Sequence, residues 1–427
     1  MRAAALAAVT LLLAGCVTTP QPTTVAPSPA RPTPSASSSA TPTPTTAPTP
    51  KPFAAGSVVQ VLVDGLNIRN APSKDAAAAG VVQAGQRVVI LSGPQRADGF
   101  DWYEVSRGRD AARGWLAAGP DDEPWLTPLA NGILAFRYRE GERTGIGLLG
   151  PDADGAVVLE GAPTMLAWSP DGTHLAVALP GVEADSSEIS VMNADGSDRH
   201  PVADGGVFAW SPDGTRLAVP EGNRLTLRSA ADGQDVGRLP LHGLEAVGEL
   251  AWSPDSRRIA FTAAGSGKDA RDVYVMRSDT GALSRPTDAG RNDTPVWSPS
   301  ANRLVYNTPD GVVISDPAGE DQRPLTDGRV APGAWSPDGL FVLITRFGGL
   351  DSLDLRLLGS ATVASDDGAS TVRGGSWSPD GTRILFERAA KSGDMVQAWV
   401  ANADGSAPRQ VPNAAGLASW QAVLGGP

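Results

Sequence analysis

Sulfur is almost missing from this chain. Cys16 is the only cysteine among 427 residues, which excludes an intrachain disulfide and a thiolate metal cluster, and leaves the body without a catalytic thiol. Histidine is nearly as scarce, with His174, His200 and His242 widely spaced, and no Gly-x-Ser-x-Gly elbow accompanies them. Nucleophilic hydrolysis by a Ser-His pair therefore has no visible basis. Charged residues make up only 19%, and the 35 Lys and Arg are outnumbered by 47 Asp and Glu, for a net charge of −12. No basic run exists to neutralise phosphates, so a nucleic-acid partner is not expected. Long apolar runs are also lacking: the longest, near the N-terminus, is about eleven residues, too short to cross a bilayer core of roughly 30 Å.

What the chain has in quantity is turn residues, with 49 Gly and 37 Pro. That composition predicts an all-β protein of short strands. At the N-terminus, Met1-Arg2 and an apolar stretch from Ala3 to Leu13 precede Leu13-Ala14-Gly15-Cys16. This resembles the lipobox of bacterial lipoproteins. The resemblance implies a signal peptide over residues 1–15, cleavage between Gly15 and Cys16, and lipidation of the Cys16 thiol. The mature body would then sit on the outer face of the cell membrane, or on the outer membrane of a two-membrane cell. Residues 16–54 are almost wholly Pro, Thr, Ser and Ala, with no apolar periodicity, and predict a disordered tether. In polyproline II, at roughly 3.1 Å per residue, it would reach about 110 Å from the lipid.

Residues 55–119 read as short alternating strands between turns, enough for a small β-barrel. Gly65-Leu66-Asn67-Ile68-Arg69-Asn70-Ala71-Pro72, then Gly85, Trp102-Tyr103 and Gly114-Trp115-Leu116, stand in the order shown by bacterial SH3-like domains, which the segment resembles. That family recurs in envelope proteins and often binds peptidoglycan. Trp102, Tyr103 and Trp115 are the candidate wall-binding aromatics, with a place in the barrel core as their alternative. Arg69 is open to a structural pairing or a ligand contact.

Residues 130–424 repeat themselves. Trp168, Trp210, Trp252, Trp297, Trp335 and Trp377 each open a Trp-Ser-Pro unit, mostly completed by Asp-Gly, and Trp420 falls where a seventh is due. A period of about 40 to 45 residues is that of a four-stranded propeller blade. The turn has a physical reading: Pro presets φ, Asp bonds back to the backbone, and Gly takes a positive φ. The tryptophan offers an apolar face to the gap between blades. The pattern resembles the TolB-type propeller repeat. Six units are complete, and strands near Ile133, Gly145 and Val157 lack a leading Trp strand, which the strand at Trp420 can supply. Seven blades are expected, against six in TolB, with the last shared by both ends of the propeller.

No cofactor or metal is indicated. Asp152-Ala153-Asp154-Gly155 and Asp366-Asp367-Gly368 do not match a twelve-residue calcium loop, and Gly265-Ser266-Gly267-Lys268 lacks the earlier glycine of a phosphate loop. The polar residues expected at the channel mouth are Glu245, Glu249, Arg291, Asn292, Asp293, Arg329 and Arg373, a mixed-charge ring suited to a peptide or protein segment. The functional expectation is a non-enzymatic envelope lipoprotein. It would touch membrane through lipid, peptidoglycan through the barrel and a protein partner through the propeller. The rival expectations are a propeller lyase or hydrolase acting on wall sugar or peptide, and a sensor or assembly subunit of an exported complex.

Overall fold

In the computed structural model, the residues described are 53, 58–84, 86–106, 113–120, 123–150, 157–181, 186–265, 270–288, 290, 292–328, 330–392 and 395–424. The expected signal peptide, Cys16 and almost all of the tether lie outside them, as do the Asp152 turn, most of the Gly265 loop, Arg291 and Arg329. Among the described residues there is no helix, and none could cross a membrane as one.

Six antiparallel four-stranded sheets follow one another along the chain. Their innermost strands are Met165–Trp168, Ala209–Trp210, Leu244–Trp252, Asp293–Trp297, Val330–Trp335 and Ser370–Trp377. These are blades 1 to 6. The seventh blade is made from both ends: Ala414–Leu424 is its inner strand and pairs with Leu126–Glu140, followed by Arg143–Leu149 and Val157–Leu159. The expected shared blade is therefore present.

The tryptophan turns hold because each residue is satisfied locally. Ser211 is fully buried; its Oγ accepts the Arg216 amide at 3.0 Å and donates to Asp213, whose Oδ1 accepts the Thr215 amide at 3.0 Å. Burial would raise the Asp213 carboxyl pKa, but the Ser211 hydroxyl, the Thr215 donors and Arg216 outweigh it and hold it below the usual range. Gly172, Gly214, Gly339 and Gly381 close their turns at φ near +70°, and Ser256 and Ala301 take a positive φ in the two units that lack Gly. The motif serine, whose role the sequence left unread, is the hub of this turn.

Three of the tryptophans also staple their blade to the one before, while the buried Nε1 of Trp168, Trp252, Trp377 and Trp420 has no hydrogen-bond partner among the described residues. Nε1 of Trp210 donates to Ala167 O at 3.0 Å, that of Trp297 to Ala251 O at 2.9 Å, and that of Trp335 to Val296 O at 3.2 Å. At three positions the residue six after one tryptophan covers the next: Arg216 lies over Trp252 and Arg258 over Trp297, each at 5.4 Å, and Phe341 lies 6.2 Å from Trp377.

The barrel comprises Val58–Val61, Leu66–Arg69, Ala78–Val82, Arg87–Ala97, Phe100–Ser106 and Arg113–Ala117 around a core that includes Val59, Ile68, Ile90, Val105 and Leu116. The sequence reading ends the barrel at 119 and starts the propeller at 130. The strand Leu126–Glu140 crosses that gap: Leu126 and Pro128 pair with Val61 and Val59 of the barrel, while Leu129 to Tyr138 pair with the closing strand. Leu126 belongs to the barrel core. One strand thus serves both domains, joining them through backbone hydrogen bonds and leaving no free linker at the junction.

Candidate functional site

In a four-stranded antiparallel blade, the first hairpin and the third lie at one end, and the second hairpin and the connection to the next blade lie at the other. The tryptophan turns therefore mark one face of the propeller, called here the turn face, and the predicted mouth residues belong to the opposite, far face.

At the far face the described members of the predicted ring are dispersed. Asn292 is buried, not exposed, and its Nδ2 donates to Asp272 Oδ1 at 2.8 Å. It cannot contact a ligand at the mouth, because its amide is spent on a buried carboxylate. Glu249 sits at φ +41° in an irregular strand, and its Oε2 accepts the Thr294 amide of blade 4 at 2.6 Å, a clamp between blades. Glu245 and Arg373 are exposed, on blades 3 and 6. Asp293 contributes backbone pairing to Asn307. The side chain of Asp293 lies outside what is described, and among the described side chains Glu245 and Glu249 stand on one strand of blade 3, with Glu249 committed to blade 4.

Asp272, which the sequence reading missed, is the most elaborately held group there. It is 3% exposed and receives the Thr287 hydroxyl, the Gly290 amide at 2.9 Å, Asn292 and the Arg285 guanidinium. Burial works against its ionised form, yet these four donors together hold its pKa below the ordinary value. The only signal for it in the sequence is an Asp opening the apolar run Val273-Tyr274-Val275-Met276. Its role is to pin the connection between blades 3 and 4.

The barrel aromatics also sort themselves. Trp102 and Tyr103 are 2% and 3% exposed, Tyr103 lies in the barrel core and Trp102 Nε1 donates to Ala97 O, so neither can stack on a wall sugar. This corrects their place among the wall-binding candidates: the barrel uses Tyr103 for its core, and Trp102 is buried on the opposite face of the same strand. Trp115 is half-buried and remains the one of the three with a face toward solvent. Arg69 donates to Ala76 O at 2.6 Å, tying its own strand to the following turn.

At the turn face lies a cavity of about 580 Å³. It touches the turn prolines Pro170, Pro212, Pro254, Pro299, Pro337 and Pro379, and reaches Trp420 of the closing blade. Only a cavity on the propeller axis can meet all seven blades, so this is the end of the central channel. The residue before each tryptophan is small, as in Val296, Ala334, Ser376 and Ser419, which keeps the bore open there. Gln86 and Arg87 of the barrel complete the lining. Arg87 Nη2 donates to Pro170 O at 3.1 Å, and desolvation pulls its pKa below the ordinary arginine value. The barrel therefore covers this end of the channel. Nothing in the sequence marks Arg87, because its partner is a backbone carbonyl 83 residues away.

With this geometry in hand, comparison with known proteins gives two domain matches. Residues 64–119 match the bacterial SH3 domain, and residues 167–358 match the TolB beta propeller domain. The chain thus carries a bacterial SH3 domain followed by a TolB-type propeller. No curated protein matches the sequence. Among solved structures, TolB from Acinetobacter baumannii is 15% identical, with 77% of this chain and 80% of that one covered at a TM-score of 0.46. An oligogalacturonate lyase in complex with manganese is 12% identical, covering 67% and 86% at 0.48. The Vibrio parahaemolyticus oligogalacturonate lyase is 11% identical, covering 66% and 85% at 0.47. Likeness at this level concerns the propeller fold and assigns no chemistry to this chain.

Proposed function

We propose that this chain is a non-enzymatic binding protein of the cell envelope, lipid-anchored at Cys16 and held off the membrane by its Pro-rich tether. In this reading the SH3 domain engages the wall, and the far face of the propeller engages a protein partner. The observation that carries the reading is the union of a bacterial SH3 domain and a TolB-type propeller in one chain. Two features support binding over acid–base chemistry. The described lining of the channel end is apolar apart from Arg87, Gln86 and a few serines and holds no carboxylate, and Asp272 and Glu249 are engaged in holding blades together.

The test is cosedimentation of the body from residue 53 onward with purified peptidoglycan, alongside Trp115→Ala. Deleting the whole barrel would be a poor control, because it strips the partner from Leu126–Pro128. Retention of the intact body, falling several-fold in the variant, is the expected result. Failure of the intact body to sediment with the wall would overturn the wall-binding half of the proposal.

A further inference from the structure

The cavity at the turn face holds a cation with no counterion among the described residues that line it. Among its described lining residues Arg87 is the only charged one, set against six prolines and five tryptophans. A guanidinium carries five N–H donors, and one interaction, to Pro170 O, is accounted for. Arg87 is half-buried and lines the cavity. Burying a cation costs free energy unless an anion or hydrogen-bond acceptors compensate, and the lowered pKa of Arg87 reflects that cost.

We propose that this cavity binds a small carboxylate-bearing ligand, with Arg87 gripping the carboxylate and the proline rings and tryptophan edges enclosing an apolar body. About 580 Å³ lies within the usual size of small-ligand pockets. The planar guanidinium fork matches a carboxylate in two parallel hydrogen bonds. A doubly charged phosphate is disfavoured: there is one cation, and prolines offer no backbone N–H to assist it. The site exists only because the barrel is docked on the propeller, since neither domain alone has both the cation and the apolar walls. It does not depend on wall binding, so a negative peptidoglycan result would leave it standing.

The carboxylate could belong to a free apolar acid or to the C-terminal end of a peptide, and the probes separate the two. Phenylacetate and the N-acetylated dipeptide Leu-Ala, with a free or an amidated terminus, are titrated into the protein from residue 53 onward. Binding is read from intrinsic fluorescence, because Trp168, Trp297, Trp335, Trp377 and Trp420 border the cavity. At least one free acid is expected to give a saturable change, with the amide giving none. Arg87→Gln is expected to weaken binding roughly tenfold or more, the loss of a charge-assisted pair, and Arg87→Lys to weaken it less. Ala334→Leu narrows the cavity without touching Arg87 and should also weaken binding, which covers the case in which Arg87→Gln loosens the barrel. The absence of a saturable response to either acid, equal binding of the amide, or unchanged affinity in both Arg87→Gln and Ala334→Leu would overturn the proposal.

Discussion

The closure of the propeller can be isolated by comparing one substitution at two equivalent glycines. Gly172 and Gly214 occupy the same turn position in blades 1 and 2, at φ +73° and +70°. Placing Ala at either forces a left-handed conformation on a residue with a Cβ, costing roughly 1–2 kcal/mol, less a few tenths for the stiffer unfolded chain. At Gly214 that is the whole effect, since the new Cβ would lie no closer than 3.5 Å to the Asp171 carboxylate. At Gly172 the Cβ would fall 1.9 Å from the Ala422 carbonyl of the closing strand, a backbone atom that must retreat by more than 1 Å. The retreat also stretches the buried bond from Gln421 Nε2 to Gly172 O, now 2.7 Å, whose loss costs about 1–3 kcal/mol. Gln421 in turn accepts the Ile133 amide at 2.8 Å, so both sides of the seam are disturbed. Gly214→Ala should therefore lose about 1 kcal/mol and Gly172→Ala about 2–4 kcal/mol. Urea unfolding followed by tryptophan fluorescence, with the m-values compared to confirm a shared unfolding unit, gives the difference. Coincident midpoints for the two variants would refute the claim that the seam is held at Gly172.

Two further outcomes are expected. Asp272 is ionised below its ordinary pKa of 3.8 in the folded state, so its stabilisation is complete above that value and fades as pH falls below it. Asp272→Asn should cost about 1–3 kcal/mol at neutral pH, with the gap to the parent protein closing on acidification; a gap that persists undiminished at pH 2, measured by the urea midpoint, would contradict this. For the anchor, cells fed an alkyne-tagged fatty acid should label the full chain and not Cys16→Ser, and equal labelling would remove lipidation at that residue.

The blades were legible because their signal is local. Ser, Pro, Asp and Gly each satisfy a requirement within a few residues, and the tryptophan recurs once per blade, so spacing alone counts the sheets and predicts the joint closing blade. The site was less legible because its parts are distant in sequence. Asn292 reads as a polar loop residue, and only Asp272, twenty positions earlier, makes it a buried structural one. Trp102 and Trp115 look alike as barrel aromatics and share one face of the paired strands, yet one is buried and the other half-exposed, a difference the sequence does not carry. Arg87 shows how far such pairing can reach, since it gains its meaning from a turn in another domain.

The strand Leu126–Glu140 has a consequence for the order of folding. Val423 and Leu424 register with Ala130 and Leu129, almost three hundred residues earlier. During synthesis the barrel can complete as soon as Leu126–Pro128 emerges, while the other half of the same strand waits with an unpaired edge until the final blade is made. Loop closure over that distance is slow compared with forming any single blade, and an unpaired edge is a template for wrong partners. The barrel, finished early and fused to that edge, holds it in place for the strand that will arrive last.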